Sequence, residues 1–150
     1  PCSPAIFDAW CGAFITNPLE LAVLRRGSSG VEIFLIHRED KFFKGWHMPG
    51  TVILPGNKVA EAFERLVKKE VGTPTTKAEF IMWKEFMKGD RDDLAENPRG
   101  QELSLLFAVF VDGNVPHGTF FPLDAIPDTT LGHHKQMIGD VQDWLAKRTG

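Results

Sequence analysis

Residues 46–73 read WHMPGTVILPGNKVAEAFERLVKKEVGT, and they say more about the structure than any other part of the chain. A Pro-Gly turn is followed by a loop and then by a charged segment with apolar residues at helical spacing. Gly72 and Pro74 end that segment, because glycine readily takes the left-handed conformation that closes a helix and proline cannot continue one. The pattern predicts one amphipathic helix over residues 58–71.

The predicted helix has an apolar face and a charged face. The apolar face consists of Val59, Phe63, Leu66 and Val67. On the charged face, Glu61 precedes Arg65 by four residues, which is the spacing of a weak surface ion pair. Glu70 follows Leu66 by four residues, so its carboxylate continues the buried face and needs a cation or a hydrogen-bond donor nearby. The alternative is a glutamate at a helix end that turns out to water.

Length and composition bound the class of protein. With 150 residues, 43% hydrophobic and 25% charged, the chain is predicted to form one globular domain over residues 1–150. The net charge of −3 gives no electrostatic reason to expect nucleic acid or an anionic membrane as a partner. No apolar run approaches the roughly 20 residues of a membrane span. The two cysteines form neither a disulfide framework nor a zinc motif, and a cytoplasmic location is the default expectation.

Hydrophobic patterning predicts the remaining elements. Residues 19–25 and 31–38 read as two strands of a hairpin, joined by a Gly-Ser-Ser-Gly turn. The other predicted elements are helices at 5–15 and 131–147, strands at 78–87 and 102–111, and a short extended piece at 120–121. The strand at 102–111 is strongly apolar and is predicted to be buried on both faces. Residues 89–100 are polar and contain Pro and Gly, so they predict a surface loop whose aspartates are solvated. This order predicts an α/β fold with a mixed β-sheet between helices.

The stretch described first resembles the Nudix box, G-x5-E-x7-R-E-U-x-E-E-x-G-U with U aliphatic. It is the signature of a family that hydrolyses nucleoside diphosphates linked to another group. Four positions match the box: Arg65, Val67, Glu70 and Gly72. Four others depart from it, with Thr51 in place of the first glycine and Asn57, Leu66 and Lys69 in place of glutamates. The resemblance implies a Nudix-type α/β/α sandwich with a mixed β-sheet.

The resemblance also implies a metal site. In this family, glutamates at the positions of Leu66, Lys69 and Glu70 help to hold Mg²⁺ or Mn²⁺, and only Glu70 remains here. The backbone carbonyl of Gly50 is the second implied ligand. Mg²⁺ often uses only one or two carboxylates and takes its other oxygens from water and substrate phosphates. The implied cofactor is therefore one Mg²⁺, with Mn²⁺ as the alternative, bound weakly when no substrate is present.

The run EAFERL and the Glu-aliphatic-Gly that ends the box are similar to the box of the GDP-mannose mannosyl hydrolases. That group attacks the sugar carbon instead of phosphorus and uses a histidine in a late loop as general base. The matching segment here is residues 124–137, in which His134 is the implied base. His133 then stands where that group has a glutamine near the metal, which implies substrate binding. The alternative is that His133 is an exposed residue at the N-terminus of the terminal helix and His134 is a packing or capping residue.

Other candidate residues come from the same comparison. Arg38 ends the second predicted strand, where the family has a basic residue on the diphosphate, and a guanidinium suits that bidentate contact. Its alternative is a solvated arginine at a strand end. Arg65 is implied to orient Glu70 or to brace the loop. Glu85 and Glu102 are candidates for a base or an additional metal ligand if they point into the cleft.

Two functions stay open at this point. The first is a Mg²⁺-dependent hydrolase of a nucleoside diphosphate sugar or a related compound, cleaving either the C–O or the P–O bond. The second is a retired Nudix domain that binds a nucleotide or nucleotide sugar without turnover, which the four box substitutions favour. Val52 stands where the mannosyl hydrolases have an arginine, and residues 19–24 lack their aspartate. Many family members are dimers, so a homodimer is the corresponding expectation.

Overall fold

The structure, a computed structural model, describes residues 3–72, 77–91 and 97–149. Within these residues the elements are α1 (Pro4–Ala13), β1 (Pro18–Arg26), β2 (Val31–Glu39), β3 (Lys44–His47), β4 (Gly50–Val52), α2 (Val59–Leu66), β5 (Glu79–Phe86), β6 (Glu102–Phe110), β7 (Thr119–Pro122) and α3 (Gly132–Thr149). In this described part of the chain, no helix combines the length and the apolar character that crossing a membrane requires.

The strands form one mixed sheet in the order β3-β2-β1-β6-β5, with β4 paired to β1 and β7 paired to β2. The predicted hairpin of β1 and β2 is present, and the amide of Gly27 donates to the carbonyl of Gly30 across its turn at 2.8 Å. Strand β1 runs parallel to β6 and antiparallel to β2 and β4. The prediction of a mixed sheet is confirmed.

Helices cover both faces of the sheet, because successive residues of β1 point to opposite sides. Leu19, Leu21 and Val23 pack in one core with the buried residues of α2. Ala22 and Leu24 pack in a second core with the buried residues of α3. This arrangement is the predicted α/β/α sandwich. The prediction that β6 is buried on both faces was wrong, since fully buried and half-buried residues alternate along it.

The predicted helix over residues 58–71 changes its winding near its end. Helix α2 stops at Leu66, and Val67–Val71 forms a π-helical turn in which the amide of Gly72 donates to the carbonyl of Val67 at 2.8 Å. Gly72 has a φ of 68°, the left-handed conformation expected of a closing glycine. The prediction of one regular helix was therefore wrong at its last turn. Glu70 lies within this turn, and its side chain is largely buried, as the spacing predicted.

Two short strands lie where the sequence predicted only a turn and a loop. Strand β3 pairs with the end of β2, and β4 pairs with the start of β1. Both are too short to show the alternation on which a strand prediction depends. The pairing of β4 with β1 shapes the cleft described below, because it places Gly50 of β4 directly opposite Glu20 of β1.

The segment predicted as a surface loop, residues 89–100, is partly buried. Arg91 and Asn97 are buried, and Nη1 of Arg91 lies 2.8 Å from the carboxylate of Glu102. The prediction was wrong at these positions because polar composition alone does not reveal a buried ion pair. Asp90 accepts a hydrogen bond from the amide of Met87 at 2.8 Å. The other two aspartates of this segment lie outside the described residues.

Gly45 in β3 has a conformation and a neighbour that exclude other residues. Its φ is 152°, and a Cβ added there would overlap the carbonyl oxygen of Thr129. The amide of Trp46 donates to the same oxygen at 3.1 Å, and the amide of Leu131 donates to the carbonyl of Trp46 at 2.9 Å. Strand β3 therefore holds the segment that leads into α3.

We predict that Gly45→Ala destabilises the fold more than Gly30→Ala, measured as the free energy of unfolding in urea. Gly30 has a similar φ of 146° but open space around it, so its substitution costs only backbone strain, about 1–3 kcal/mol. Gly45→Ala adds a clash with backbone, which we expect to cost at least about 2 kcal/mol more. Equal losses of unfolding free energy in the two variants would show that the close contact with Thr129 adds nothing to the cost of the substitution.

Candidate functional site

A cleft of about 490 Å³ lies beside the N-terminal end of β1, between the end of the π turn and the start of α3. Of the residues predicted from sequence, those that line it are Arg38, Gly50, Arg65, Glu70, Glu102, His133 and His134. Glu85 is not among the lining residues, and its carboxylate accepts a hydrogen bond from Gln101. The suggestion that Glu85 points into the cleft was therefore wrong. The cleft also contains Glu20 and His47, which the sequence did not single out.

Glu70 reaches from the π turn to the backbone of the Pro-Gly turn. Its Oε2 accepts a hydrogen bond from the amide of Gly50 at 3.1 Å, and its side chain is only 17% exposed. Lys69, which replaces a box glutamate, has Nζ 3.6 Å from Oε1 of Glu70, but its side chain is 78% exposed. Most of the lysine side chain is therefore in solvent, but Lys69 also lines the cleft and pairs with Glu70. Leu66, the other substitution, is buried in the core below α2.

Glu20 is a cleft residue that sequence reasoning missed. The β1–β4 register pairs it with Gly50, and a Cβ added to Gly50 would lie 2.8 Å from Cδ of Glu20 and would overlap its Oε2. That oxygen is buried and accepts no hydrogen bond from the described residues. Burial raises the pKa of Glu20 well above its ordinary value, and the charges of Glu102 and Glu70 raise it further. The signal in the sequence was one charged residue within the otherwise apolar run of residues 19–24.

Glu102 differs from Glu20 because cations surround it. Nη1 of Arg91 lies 2.8 Å away and Nη1 of Arg99 lies 3.3 Å away, both on Oε1. The carboxylate is almost entirely buried, so both partners act where water screens little. Among the carboxylates of the cleft, Glu102 thus already has two cationic partners, while Glu20 and Glu70 converge on Gly50.

These residues fit a single divalent cation. Carboxylate and carbonyl oxygens are the ligands that Mg²⁺ prefers, and the buried Oε2 of Glu20 lacks the partner that a carboxylate needs. Within residues 3–72, 77–91 and 97–149, no three His, Cys, Asp or Glu side chains are grouped as a complete metal site. The donor set therefore fits an open site in which water and substrate oxygens complete the coordination.

Arg65 braces the loop between β4 and α2. Its Nη1 donates to Oδ1 of Asn57 at 2.8 Å, and its Nη2 donates to the carbonyl of Val52 at 2.9 Å. The predicted ion pair with Glu61 was wrong, because that carboxylate accepts a hydrogen bond from the amide of Lys58 at 2.9 Å, at the start of α2. Arg65 thereby fixes the loop that forms one wall of the cleft.

Arg38 presents a half-buried guanidinium to the cleft. It pairs with Asp40, and its Cζ lies 4.6 Å from the centre of the Phe43 ring. Burial alone would raise the pKa of Asp40, but hydrogen bonds from the amides of Phe42 and Phe43 and from Arg38 outweigh it and lower that pKa. Asp40 therefore stays ionised and holds the arginine in position for an anionic ligand.

Two histidines of the cleft hold their protons on opposite nitrogens. Nδ1 of His47 lies 2.6 Å from the carbonyl of Met48, which can only accept, so the neutral ring has a proton on Nδ1 and a bare Nε2. Nδ1 of His134 accepts from the amide of Met48 at 3.3 Å, so its proton lies on Nε2. Burial lowers the pKa of His47 to about 4 and that of His134 well below its ordinary value. Both rings are therefore neutral at pH 7.

His133 lies between two phenylalanines and its neighbouring histidine. Its ring centre is 5.7 Å from that of Phe43, 5.8 Å from that of Phe86 and 4.5 Å from that of His134. The side chain is buried, so its predicted contact with substrate stays a prediction. The role of His134 as the base also stays a prediction, and its bond to Met48 must break before its Nδ1 can accept a proton.

The buried histidines predict how stability depends on pH. The pKa of His47 in the folded state, about 4, lies below its ordinary value of 6.5, so the unfolded chain binds more protons between those two values. The free energy of unfolding should therefore fall as pH drops through that window, by about 3 kcal/mol for His47 alone. Urea unfolding at about pH 7 and pH 4.5 measures it. His47→Gln should remove the part of the dependence that comes from His47, while His117→Asn, at an exposed position, should keep the wild-type slope.

Comparison with known proteins adds a family and a fold. Residues 18–140 match the family model of the NUDIX domain. No curated protein matches the chain. The family match spans the predicted box and every strand from β1 to β7, and it includes every cleft residue named above.

Similar solved structures share the fold at low sequence identity. The Nudix domain of Shewanella oneidensis NrtR, in complex with ADP-ribose, is 14% identical, covers 96% of this chain and 99% of its own, and has a TM-score of 0.68. The Ap4A hydrolase of C. elegans is 13% identical, covers 89% of this chain and 98% of its own, and has a TM-score of 0.61. The same S. oneidensis NrtR, in complex with a 27mer DNA, is 13% identical, covers 87% of this chain and 62% of its own, and has a TM-score of 0.65.

These likenesses establish the fold and leave several predictions untested. A neighbour in complex with DNA means that the expected absence of a nucleic-acid partner stays a prediction for this chain. The cytoplasmic location and the homodimer likewise stay predictions. What the cleft binds has to be argued from its own residues.

Proposed function

Because the chain belongs to the Nudix family, we propose that it is a divalent-cation-dependent hydrolase of a nucleoside diphosphate sugar or a related nucleoside-diphosphate compound. The observation that carries the proposal is the pairing of two kinds of group in one cleft. Glu70 and the Gly50 backbone offer oxygens to a cation, and Arg38 offers a guanidinium to a phosphate. A diphosphate with its bound cation needs both.

Each residue has a definite part in this proposal. Glu70 and the carbonyl of Gly50 would hold Mg²⁺, or Mn²⁺ in its place, and the cation supplies charge neutralisation on the departing diphosphate. Arg38 contacts a phosphate oxygen while Asp40 orients it. Arg65 keeps the loop at Val52 in place and so preserves the shape of the cleft.

The attacking water needs a base, and two histidines are candidates. His134 is the one that the family resemblance implies, and His47 is favoured by its bare Nε2. We expect substitution of the base by glutamine to lower kcat by about 10²–10⁴-fold. Comparing His47→Gln with His134→Gln identifies it, since the other variant should keep most of its kcat. Losses below about tenfold in both variants would exclude both histidines.

Carbon attack on a nucleotide sugar is the finer form of the proposal. It is supported by the EAFERL box and by a ligand set suited to one cation, since neutralising a leaving group needs fewer carboxylates than activating a metal-bound water. Cleavage of the P–O bond is the alternative, and Glu102 is then the remaining carboxylate for the task. Hydrolysis in ¹⁸O-labelled water decides between them. Label in the released sugar indicates carbon attack, and label in a phosphate product indicates P–O cleavage.

A retired binding domain is the second candidate function. The observation that favours it is the location of two side chains that replace box glutamates. Leu66 is part of the core, and most of the Lys69 side chain is in solvent. Neither supplies a carboxylate to the cleft. This function predicts thermal stabilisation by a nucleotide or nucleotide sugar in EDTA, with no product after long incubation in Mg²⁺.

A hydrolysis screen tests the proposal. The protein is incubated with nucleotide sugars, dinucleotides and nucleoside triphosphates, with Mg²⁺ or with EDTA, and products are separated by chromatography. We expect one compound class to be cleaved, with cleavage lost in EDTA and restored by added Mg²⁺. Cleavage that is equal in Mg²⁺ and in EDTA would contradict the proposed role of the cation.

A further inference from the structure

We infer that Glu20 is a ligand of the cation, a second carboxylate that β1 supplies in place of those missing from the box. The inference rests on the proposed function for the identity of the ion as Mg²⁺ or Mn²⁺. Box glutamates are absent at Leu66 and Lys69, and the structure offers a carboxylate from a different element at the same point of the cleft. The ligand set becomes Glu20, Glu70 and the carbonyl of Gly50.

The first observation is the convergence of two carboxylates on one residue. Glu20 and Gly50 are opposite each other in the pairing of β1 with β4. A Cβ added to Gly50 would overlap Oε2 of Glu20, so the carboxylate lies against the Gly50 backbone. Glu70 approaches the same residue from the π turn, with Oε2 3.1 Å from its amide nitrogen.

The second observation is the missing partner of Glu20. Its Oε2 is buried and accepts no hydrogen bond from the described residues, although a buried carboxylate without a partner costs several kcal/mol. Glu102, in contrast, has arginines at 2.8 and 3.3 Å. A bound cation would give Oε2 of Glu20 the partner that the described residues do not provide.

A glutamate held only for packing would behave differently from a ligand. In that case Glu20 would stay protonated, and its removal would leave the affinity for a cation unchanged. A ligand, once it is replaced by the isosteric amide, loses the negative charge that attracts the cation. The two roles are therefore separable by a binding measurement that needs no substrate.

The test is titration with Mn²⁺ alone, with the free ion measured by electron paramagnetic resonance. We expect Glu20→Gln to raise the Kd for Mn²⁺ at least about tenfold, as loss of a ligand or its support does. Glu85→Gln, whose carboxylate lies outside the cleft, is the matched control and should bind as wild type does. A Kd for Glu20→Gln within about twofold of the wild-type value would overturn the inference. Absence of saturable Mn²⁺ binding by the wild type would overturn it too.

Thermal unfolding gives a second readout. Glu20→Gln should lose the rise in Tm that Mn²⁺ gives to the wild type, because the amide lacks the negative charge that binds the ion. A glutamate with a structural role would instead lower Tm on substitution and keep the effect of Mn²⁺.

Gly50→Ala tests the position of Glu20 without changing any ligand atom. Gly50 is outside the left-handed region, so its backbone accepts alanine, and the clash falls on the end of a flexible side chain. We expect the variant to fold and to bind Mn²⁺ at least about tenfold more weakly. Wild-type affinity in Gly50→Ala would show that the place of Glu20 against Gly50 does not matter.

Failure of this inference and failure of the proposed function give different results. If Glu20→Gln binds Mn²⁺ normally and still cleaves a substrate in Mg²⁺, the function stands and Glu20 is not a ligand. If Mn²⁺ binding depends on Glu20 and no compound is cleaved, Glu20 is a ligand and the hydrolase proposal fails.

Discussion

Glu70→Gln should lower the rate of Mg²⁺-dependent hydrolysis by more than about 100-fold, which exceeds the usual effect of removing a residue that only supports a metal ligand. Glu70 is the one box glutamate kept at the family's metal positions, and its carboxylate lies in the cleft beside Gly50. The amide of glutamine still accepts the hydrogen bond from Gly50, so the fold is preserved while the charge is lost. The measurement is kcat/KM on the substrate found by the screen.

Glu64→Gln is the control for this variant, because Glu64 is exposed on α2. It should leave kcat/KM within about twofold of the wild-type value. An unchanged kcat/KM in Glu70→Gln would mean that hydrolysis does not depend on the box carboxylate. If Glu70→Gln needs more Mg²⁺ but reaches the wild-type kcat at saturating Mg²⁺, Glu70 contributes only to the affinity for the metal.

Arg91→Met should lower the free energy of unfolding by about 3 kcal/mol, the lower end of what breaking a buried ion pair costs. The arginine side chain has no exposed surface, and its Nη1 lies 2.8 Å from Glu102. Arg99, at 3.3 Å, remains to offset the carboxylate, which is why the expected loss lies at that lower end. Urea unfolding measures the change.

Arg148→Met is the matched control, since Arg148 pairs with Glu79 at the surface. Exposed pairs contribute little, so we expect a change of less than about 1 kcal/mol. A loss in Arg91→Met no larger than in Arg148→Met would contradict the importance of the buried pair. Loss of Mn²⁺ affinity together with stability would further indicate that Glu102, once released, disturbs the carboxylates around Gly50.

The sandwich fold could be predicted because its signals are local and periodic. The apolar runs of the hairpin strands and the spacing of Phe63, Leu66 and Val67 follow directly from how strands and helices are buried in a layered fold. The box positions Glu70 and Gly72 form a pattern within one short stretch. Such features need no knowledge of what the chain places next to them.

The missed features depend on contacts between distant parts of the chain. Glu20 is one charge in the apolar run of residues 19–24, and only its pairing with Gly50 shows that it faces the cleft. Arg91 belongs to a polar segment that reads as a loop until Glu102 is placed beside it. The π turn is equally hidden, because its sequence also suits a regular helix. Tertiary contacts set all three.

The protonation of the two histidines also could not be predicted from the sequence. The sequence singled out His134 from its position at the start of the terminal helix, but which nitrogen holds the proton depends on Met48, 86 positions away. His47 has no sequence signal at all, and its bare Nε2 follows from the carbonyl that its Nδ1 meets. Chemistry of this kind requires the structure.

The most direct test of the central claim is the ratio of product formed in Mg²⁺ to product formed in EDTA, measured with wild-type protein over the whole panel of nucleotide compounds. The account predicts that at least one nucleoside-diphosphate compound is cleaved, with a ratio above about 100, because the cation neutralises the leaving diphosphate. A compound that raises Tm in EDTA while yielding no product in Mg²⁺ or Mn²⁺ would contradict the account and identify the protein as a binding domain.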